Sequence, residues 1–181
     1  MDIDEIKQKA AAKIEEAFAD TPMPRKRNYW RGPHECEDIE HYLGGKHWKE
    51  ITPKLIWNIR ECLSYLTPQA FRFYVPGYML MVLLYPLEVD TLVDRIVHDL
   101  SPSSGYSFSD WHNRRLNKLA RVVTHDEADG IVTFLDTYLQ LSINEVNGYY
   151  ASTDIFWKIP HQLEGAIKFW SSVRDGTEFE F

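Results

Sequence analysis

Apolar residues recur every three or four positions along most of the chain. Ile3, Ile6, Ala10, Ile14 and Phe18 share one face with Lys and Glu opposite, which predicts an amphipathic helix over residues 2–19. Asp20-Thr21-Pro22-Met23-Pro24 ends it, because proline carries no backbone donor and disfavours a helical residue before it. The segment ECEDIEHYLGG, residues 35–45, reads as a short helix stopped by Gly44-Gly45. Leu55, Ile56, Ile59, Cys62, Leu63 and Leu66 mark a third helix, opened by Thr52-Pro53 as N-cap and first helical residue. Thr67-Pro68 repeats that signal at once, so the chain turns there and starts another helix.

Val89, Leu92, Val93, Ile96, Val97 and Leu100 predict a helix from about residue 87 to 99, and SPSSGYSFS, residues 101–109, reads as loop. Thr124-His125-Asp126-Glu127 has the form of a capping box, followed on one face by Ile131, Phe134, Leu135, Tyr138 and Leu139. After a polar, aromatic-containing connection over 142–158, Leu163, Ala166, Ile167, Trp170 and Val173 define a last helix, and residues 175–181 form an acidic tail. Only TDIFWKI, residues 153–159, alternates weakly as a strand would. The pattern predicts an all-α fold: a single-domain bundle of roughly seven helices spanning residues 1–181 around a central Pro-kinked apolar helix.

That central segment poses the main chemical question. Between Cys62 and Leu87 the only formal charge is Arg72, and residues 68–85 are apolar on nearly every side, which predicts burial on all faces. Pro76 removes one backbone donor and its ring presses on the carbonyl of Arg72, so a kink or restart is expected there, and Gly77 beside it permits close helix contact. A buried guanidinium needs a partner. Two readings stay open, beside a third in which Arg72 reaches solvent along its own stem. Arg72 forms a structural ion pair with a carboxylate such as Glu61, Asp90 or Asp94. Otherwise it lies at the base of an aromatic pocket with Phe71, Tyr74 and Tyr78, offering a bidentate donor to a carboxylate or phosphate ligand.

The run L-T-P-Q-A-F-R-F-Y-V-P-G-Y, with G-x-x-W at Gly45 to Trp48 and F-L-D-T-Y-L at Phe134 to Leu139, resembles a family of small, mostly bacterial proteins known only as a domain of unknown function. The likeness spans most of residues 14 to 141 and is concentrated between Leu63 and Tyr78. It marks this stretch as the family's hallmark and implies no activity, cofactor or catalytic residue.

Composition narrows the classes. With 44% hydrophobic and 26% charged residues the chain is globular in type, and a net charge of −7 opposes broad attraction to DNA or anionic lipid. Cys36 and Cys62 have no paired spacing, which excludes a disulfide framework or a four-cysteine zinc site and fits a reducing cytosol. The start, MDIDEIKQKA, lacks a signal peptide's basic and apolar regions, and residues 75–87 are too short to cross a bilayer, so a soluble cytoplasmic protein without membrane contact is expected.

Against this acidic background HNRRLNKLAR, residues 112–121, is basic. Arg114, Lys118 and Arg121 align at i, i+4 and i+7, Arg115 adds a fourth cation, and no acid lies between Asp110 and Asp126. Such a face can meet phosphates, an acidic protein, or the protein's own carboxylates. Aromatic residues outside the helical stripes, Trp30, Tyr106, Phe108, Trp111, Tyr149, Tyr150, Phe156 and Trp157, either close the ends of the bundle or form a contact surface of the kind Trp, Tyr and Arg dominate.

Catalytic signatures are sparse. His34, Glu37, His41 and His47 match no established zinc pattern and read as a solvated polar face, so neither a metal nor another cofactor is expected. There is no G-x-S-x-G and no phosphate-binding glycine loop, and Ser109-Asp110-Trp111-His112 are neighbours in sequence, which triads are not. The leading expectation is a protein-binding module with a regulatory or immunity-like role, using Arg114, Arg115, Lys118, Arg121, Trp111, Tyr149, Tyr150 and Trp157. The alternative is an anionic-ligand protein or enzyme with its site at Arg72 and Pro76, and the third is nucleic-acid contact through 112–121.

Overall fold

Three Thr-initiated helix starts organise the chain as the sequence predicts. In the computed structural model, which describes residues 2–25, 29, 38–89, 92–103, 109–146 and 158–179, Thr52 Oγ1 accepts from Leu55 N (3.3 Å) and Thr67 Oγ1 from Ala70 N (3.2 Å). At the third start Thr124 Oγ1 accepts from Glu127 N (3.2 Å) while the Glu127 carboxylate accepts from Thr124 N (2.8 Å), a reciprocal capping box.

The helices are α1 (Ile3–Ala17), α2 (Asp38–Leu43), α3 (Pro53–Ile59), α4 (Pro68–Leu84), α5 (Pro86–Val89), α6 (Leu92–Leu100), α7 (Ser109–Ala120), α8 (His125–Val146) and α9 (Lys158–Asp175). Short 3-10 turns occupy Trp48–Glu50 and Arg60–Tyr65. The described residues contain no strand, and the fold is all-α. One predicted helix is subdivided: that expected over 55–66 is α-helical only to Ile59 and tightens into the 3-10 turn. The described residues of the one expected over 87–99 are helical, as α5 and α6. The possible strand at 153–159 lies mostly outside the described residues.

α4 is the axis of the fold. From Ala70 to Leu83 every residue is buried except Arg72, and the helix packs against α1, the Trp48–Glu50 turn, α5, α6, α7 and α8. It runs unbroken through Pro76, so the expected restart does not occur. Proline in a helix interior costs about 3 kcal/mol, which burial of large side chains on all faces, at about 1.5–3 kcal/mol each, outweighs several times over. Gly77 has the predicted role: a Cβ there would lie 2.6 Å from both Trp48 O and Ile51 Cδ1, so only glycine lets this turn rest on the helix.

The outer helices are tied on by side chain to backbone bonds. Tyr74 Oη donates to Leu43 O (2.7 Å) at the end of α2, and Trp170 Nε1 donates to Leu100 O (2.9 Å), joining α9 to the end of α6. α8 lies between α1 and α9 and contacts both. The buried core draws residues from every helix among the described residues.

Gly77→Ala is therefore expected to destabilise the protein by about 1–3 kcal/mol through overpacking. Gly165→Ala, where an added Cβ meets nothing within 4 Å, should be neutral or stabilise by up to about 1 kcal/mol. Urea unfolding midpoints compare the two, and equal midpoints would show that the close approach at Gly77 is not a constraint.

Candidate functional site

Arg72 leaves the α4 core at the one position where a carboxylate waits. Glu127, only 2% exposed, accepts from Arg72 Nε at 2.9 and 2.7 Å, from Thr21 Oγ1 at 2.5 Å and from Thr124 N at 2.8 Å. One carboxylate thus caps α8, neutralises α4 and holds the segment that follows α1. The anticipated partners are replaced. Asp94 lies on the exposed side of α6, and Asp90 and the Glu61 side chain are outside the described residues. The signal for Glu127 was present in the sequence, since it lies four residues before Ile131 and eight before Leu135, on the buried stripe of α8.

Phe71, Tyr74 and Tyr78 are all buried core residues, with Tyr74 edge-to-face against Phe73 at 4.9 Å. Burial drives the Tyr74 hydroxyl pKa far above its ordinary value, so it serves as a neutral donor to Leu43 O. These rings do not line the space beside Arg72. That space is a cleft of about 570 Å³ whose charged lining is Lys13 and Arg72 against Glu16, Asp20, Asp126, Glu127 and Asp129. Lys13 is already paired to Asp129 at 2.7 Å, as Arg72 is to Glu127. An anionic ligand would meet an excess of negative charge there.

A second buried ion pair lies on another side of α4. Asp99, 1% exposed, accepts from Ser64 Oγ at 2.8 and 3.0 Å, and its Oδ1 is 3.6 Å from Arg115 Nη1. Arg115 turns inward from α7: its Nη2 donates to Leu63 O (3.2 Å) and its guanidinium lies over the Phe71 ring at 5.0 Å. Loss of solvent pulls the Arg115 pKa down and Asp99 partly restores it. Arg115 is therefore part of the interior, whereas the sequence reading grouped it with the outward cations.

Two histidines adjoin this pair. The ring centroids of His98 and His112 are 4.8 Å apart, and buried His112 donates from Nε2 to Ser101 O (2.8 Å). Partial desolvation holds the His98 pKa below the usual value, against the opposing pull of Asp99. The sequence reading missed this cluster. Its signal was Asp99, which falls seven residues after Leu92 and three after Ile96 on the buried stripe of α6.

The outward face of α7 carries the remaining cations. Arg114, Lys118 and Arg121 are exposed, Arg114 Nε bonds the Asp110 carbonyl of its own helix (3.0 Å), and Trp111 beside them is 55% exposed. Tyr149, Tyr150 and Trp157 lie outside the described residues, as do Trp30, Tyr106, Phe108, Phe156, His34 and Glu37. His41 is exposed, and His47 Nδ1 accepts from Lys49 N (3.2 Å), so it acts as a cap. Trp57, Tyr85 and Leu87 are further exposed apolar side chains that the periodicity did not flag.

These features define an all-α protein whose two inward arginines, Arg72 and Arg115, face internal carboxylates and whose α7 carries a group of exposed cations. Residues 6–172 match the model of a family of unknown function, DUF6714, and the chain belongs to that family. No curated protein and no solved structure matches it. Among the described residues no helix is long and apolar enough to cross a membrane.

Arg72→Ala leaves the Glu127 carboxylate buried without its counter-charge and should lower stability by about 3 kcal/mol. Glu127→Ala also removes the cap and should cost at least as much. Chemical denaturation measures both, and a loss below about 1 kcal/mol for Arg72→Ala would return that residue to the role of ligand contact.

Proposed function

We propose that the protein acts by binding an acidic partner protein, in a regulatory or immunity-like role in the cytoplasm, through the outward face of α7. The observation that carries this reading is the alignment of exposed Trp111 with exposed Arg114 and Lys118 at i, i+3 and i+7, with Arg121 just past the helix end. Several other described cations are matched by carboxylates: Lys13 with Asp129, Lys49 with Glu15, Arg72 with Glu127, Arg115 with Asp99 and Arg174 with Asp129 and Asp175. Among the described residues Arg114, Lys118 and Arg121 have no carboxylate partner, although the chain as a whole has a net charge of −7. A large aromatic surrounded by arginine and lysine is the side-chain set that concentrates binding energy at protein interfaces.

Charge decides between partner classes. Three cations on one short helix of an acidic protein give few phosphate contacts, whereas nucleic-acid affinity grows with the number of counterions displaced. An acidic patch on a protein needs only local complementarity, and it also gains from steering at long range. The anionic-ligand reading at Arg72 is weaker, because the cleft beside that residue is acidic.

Affinity capture from the native lysate, with wild type compared against Arg114→Glu/Lys118→Glu/Arg121→Glu, tests the reading. A partner retained at micromolar concentration should be lost with the triple variant, and Trp111→Ala should weaken it by about 30-fold, or 2 kcal/mol. Identical capture by all forms, or tight binding of single-stranded DNA by wild type, would reject it.

A further inference from the structure

The end of α6 and the first turn of α7 bring two histidines, which neither the buried ion pair nor the α7 face requires, beside the carboxylate of that pair. His98 and Asp99 come from α6 and His112 from α7, and one ligand atom from each lies within 4.8 Å of the others. Zinc bonds to nitrogen and oxygen of about 2.0–2.2 Å place tetrahedral ligands roughly 3.4 Å apart. The set must close by at most about 1.4 Å, and His98, the exposed member, is the ligand freest to move. The ligands also sit at the carbonyl end of α6, the end whose dipole favours a cation.

The outer contacts already have the form that metal ligands need. His112 Nε2 bonds to the Ser101 carbonyl (2.8 Å), and a carbonyl can only accept, so Nε2 carries the proton and Nδ1 is left as a bare lone pair. Ser64 Oγ donates to both oxygens of Asp99 and orients a carboxylate that is 1% exposed. Arg115 Nη1, 3.6 Å from Oδ1, is beyond hydrogen-bond reach and has no hydrogen-bond partner among the described residues. Asp99 therefore keeps lone pairs that no donor fills, although the nearby guanidinium weakens a cation's attraction to it. Arg115 is held in place by Leu63 O and the Phe71 ring independently of Asp99.

We propose that His98, Asp99 and His112 form a binding site for one divalent transition metal of the zinc class. Two imidazoles and a carboxylate suit such ions, whereas magnesium and calcium prefer all-oxygen sets. Three protein ligands leave a fourth position for water or a group from outside, reached past exposed His98. The site is independent of the proposed docking face, which lies on the opposite side of α7.

The full-length chain, stripped with chelator, is titrated with Zn²⁺ by calorimetry and with Co²⁺ by its visible absorption. One ion per chain and a rise in the thermal midpoint are expected. His98→Ala, at an exposed position that folding tolerates, should weaken binding by about 100-fold and abolish the midpoint shift, and Ser64→Ala should weaken it by about 10-fold. His41→Ala and His161→Ala should leave affinity unchanged. Binding below one ion per chain, equal affinity of wild type and His98→Ala, or loss of affinity in either control variant overturns the site.

Discussion

The Glu127 carboxylate is the constraint on which the arrangement of the long helices depends. α4 is buried from Ala70 to Leu83 apart from Arg72, so the rotation of that helix about its axis fixes where a guanidinium must emerge. An unpaired charge at that depth is not tolerated, and the answering group has to come from another element. It comes from the capping residue of α8, whose own backbone position is set by Thr124. The start of α8, the rotation of α4 and the exit from α1 at Thr21 are thereby one decision. Replacing a buried ion pair with apolar groups is often neutral in stability, so its value here lies in register rather than in net free energy.

The Asp99–Arg115 pair repeats the device on a neighbouring side of the same helix. Arg115 lies over Phe71, the residue next to Arg72, and Asp99 reaches the Arg60–Tyr65 turn through Ser64. Together the pairs lock α4 against α8 on one side and against α6 and α7 on the other. The second pair differs in being loosely bonded: its closest nitrogen–oxygen distance is 3.6 Å, against 2.7 Å for Arg72 and Glu127. A carboxylate used only for packing would be expected to draw its cation closer, which is why the adjoining histidines carry weight.

Helix starts were legible because their chemistry is local. Thr52, Thr67 and Thr124 bond to backbone within three residues, and no tertiary knowledge is needed to predict that. Pro76 was legible in part: the apolar run predicted one central helix and the proline a kink or restart in it, and burial from every side carries the helix through without a restart. The partner of Arg72 required a contact over 55 residues of sequence. Even so, Glu127 and Asp99 each fell on a buried stripe, and a charge in phase with an apolar stripe is a readable sign of an internal pair. Arg115 shows the same: it is three residues after His112 and four before Leu119, both buried, so its phase was inward although its composition suggested a surface.

α7 puts this phase argument to use. Its inner side, His112, Arg115, Leu116 and Leu119, is held by Ser101, Asp99, Leu63 and the ring of Phe71. Its outer side, Trp111, Arg114 and Lys118, is exposed, one helical half-turn away. Because the inner bonds fix the helix axis and rotation, the outer cations are presented in a set spacing before any partner arrives. Ordering of rotamer-rich side chains costs about 0.5–1.5 kcal/mol each on association, and a backbone already fixed removes the larger part that a mobile segment would add. A chain that pairs Arg72 and Arg115 inside and presents a preset basic stripe on the outer side of α7 has separated the charges that specify its fold from those free to specify a partner.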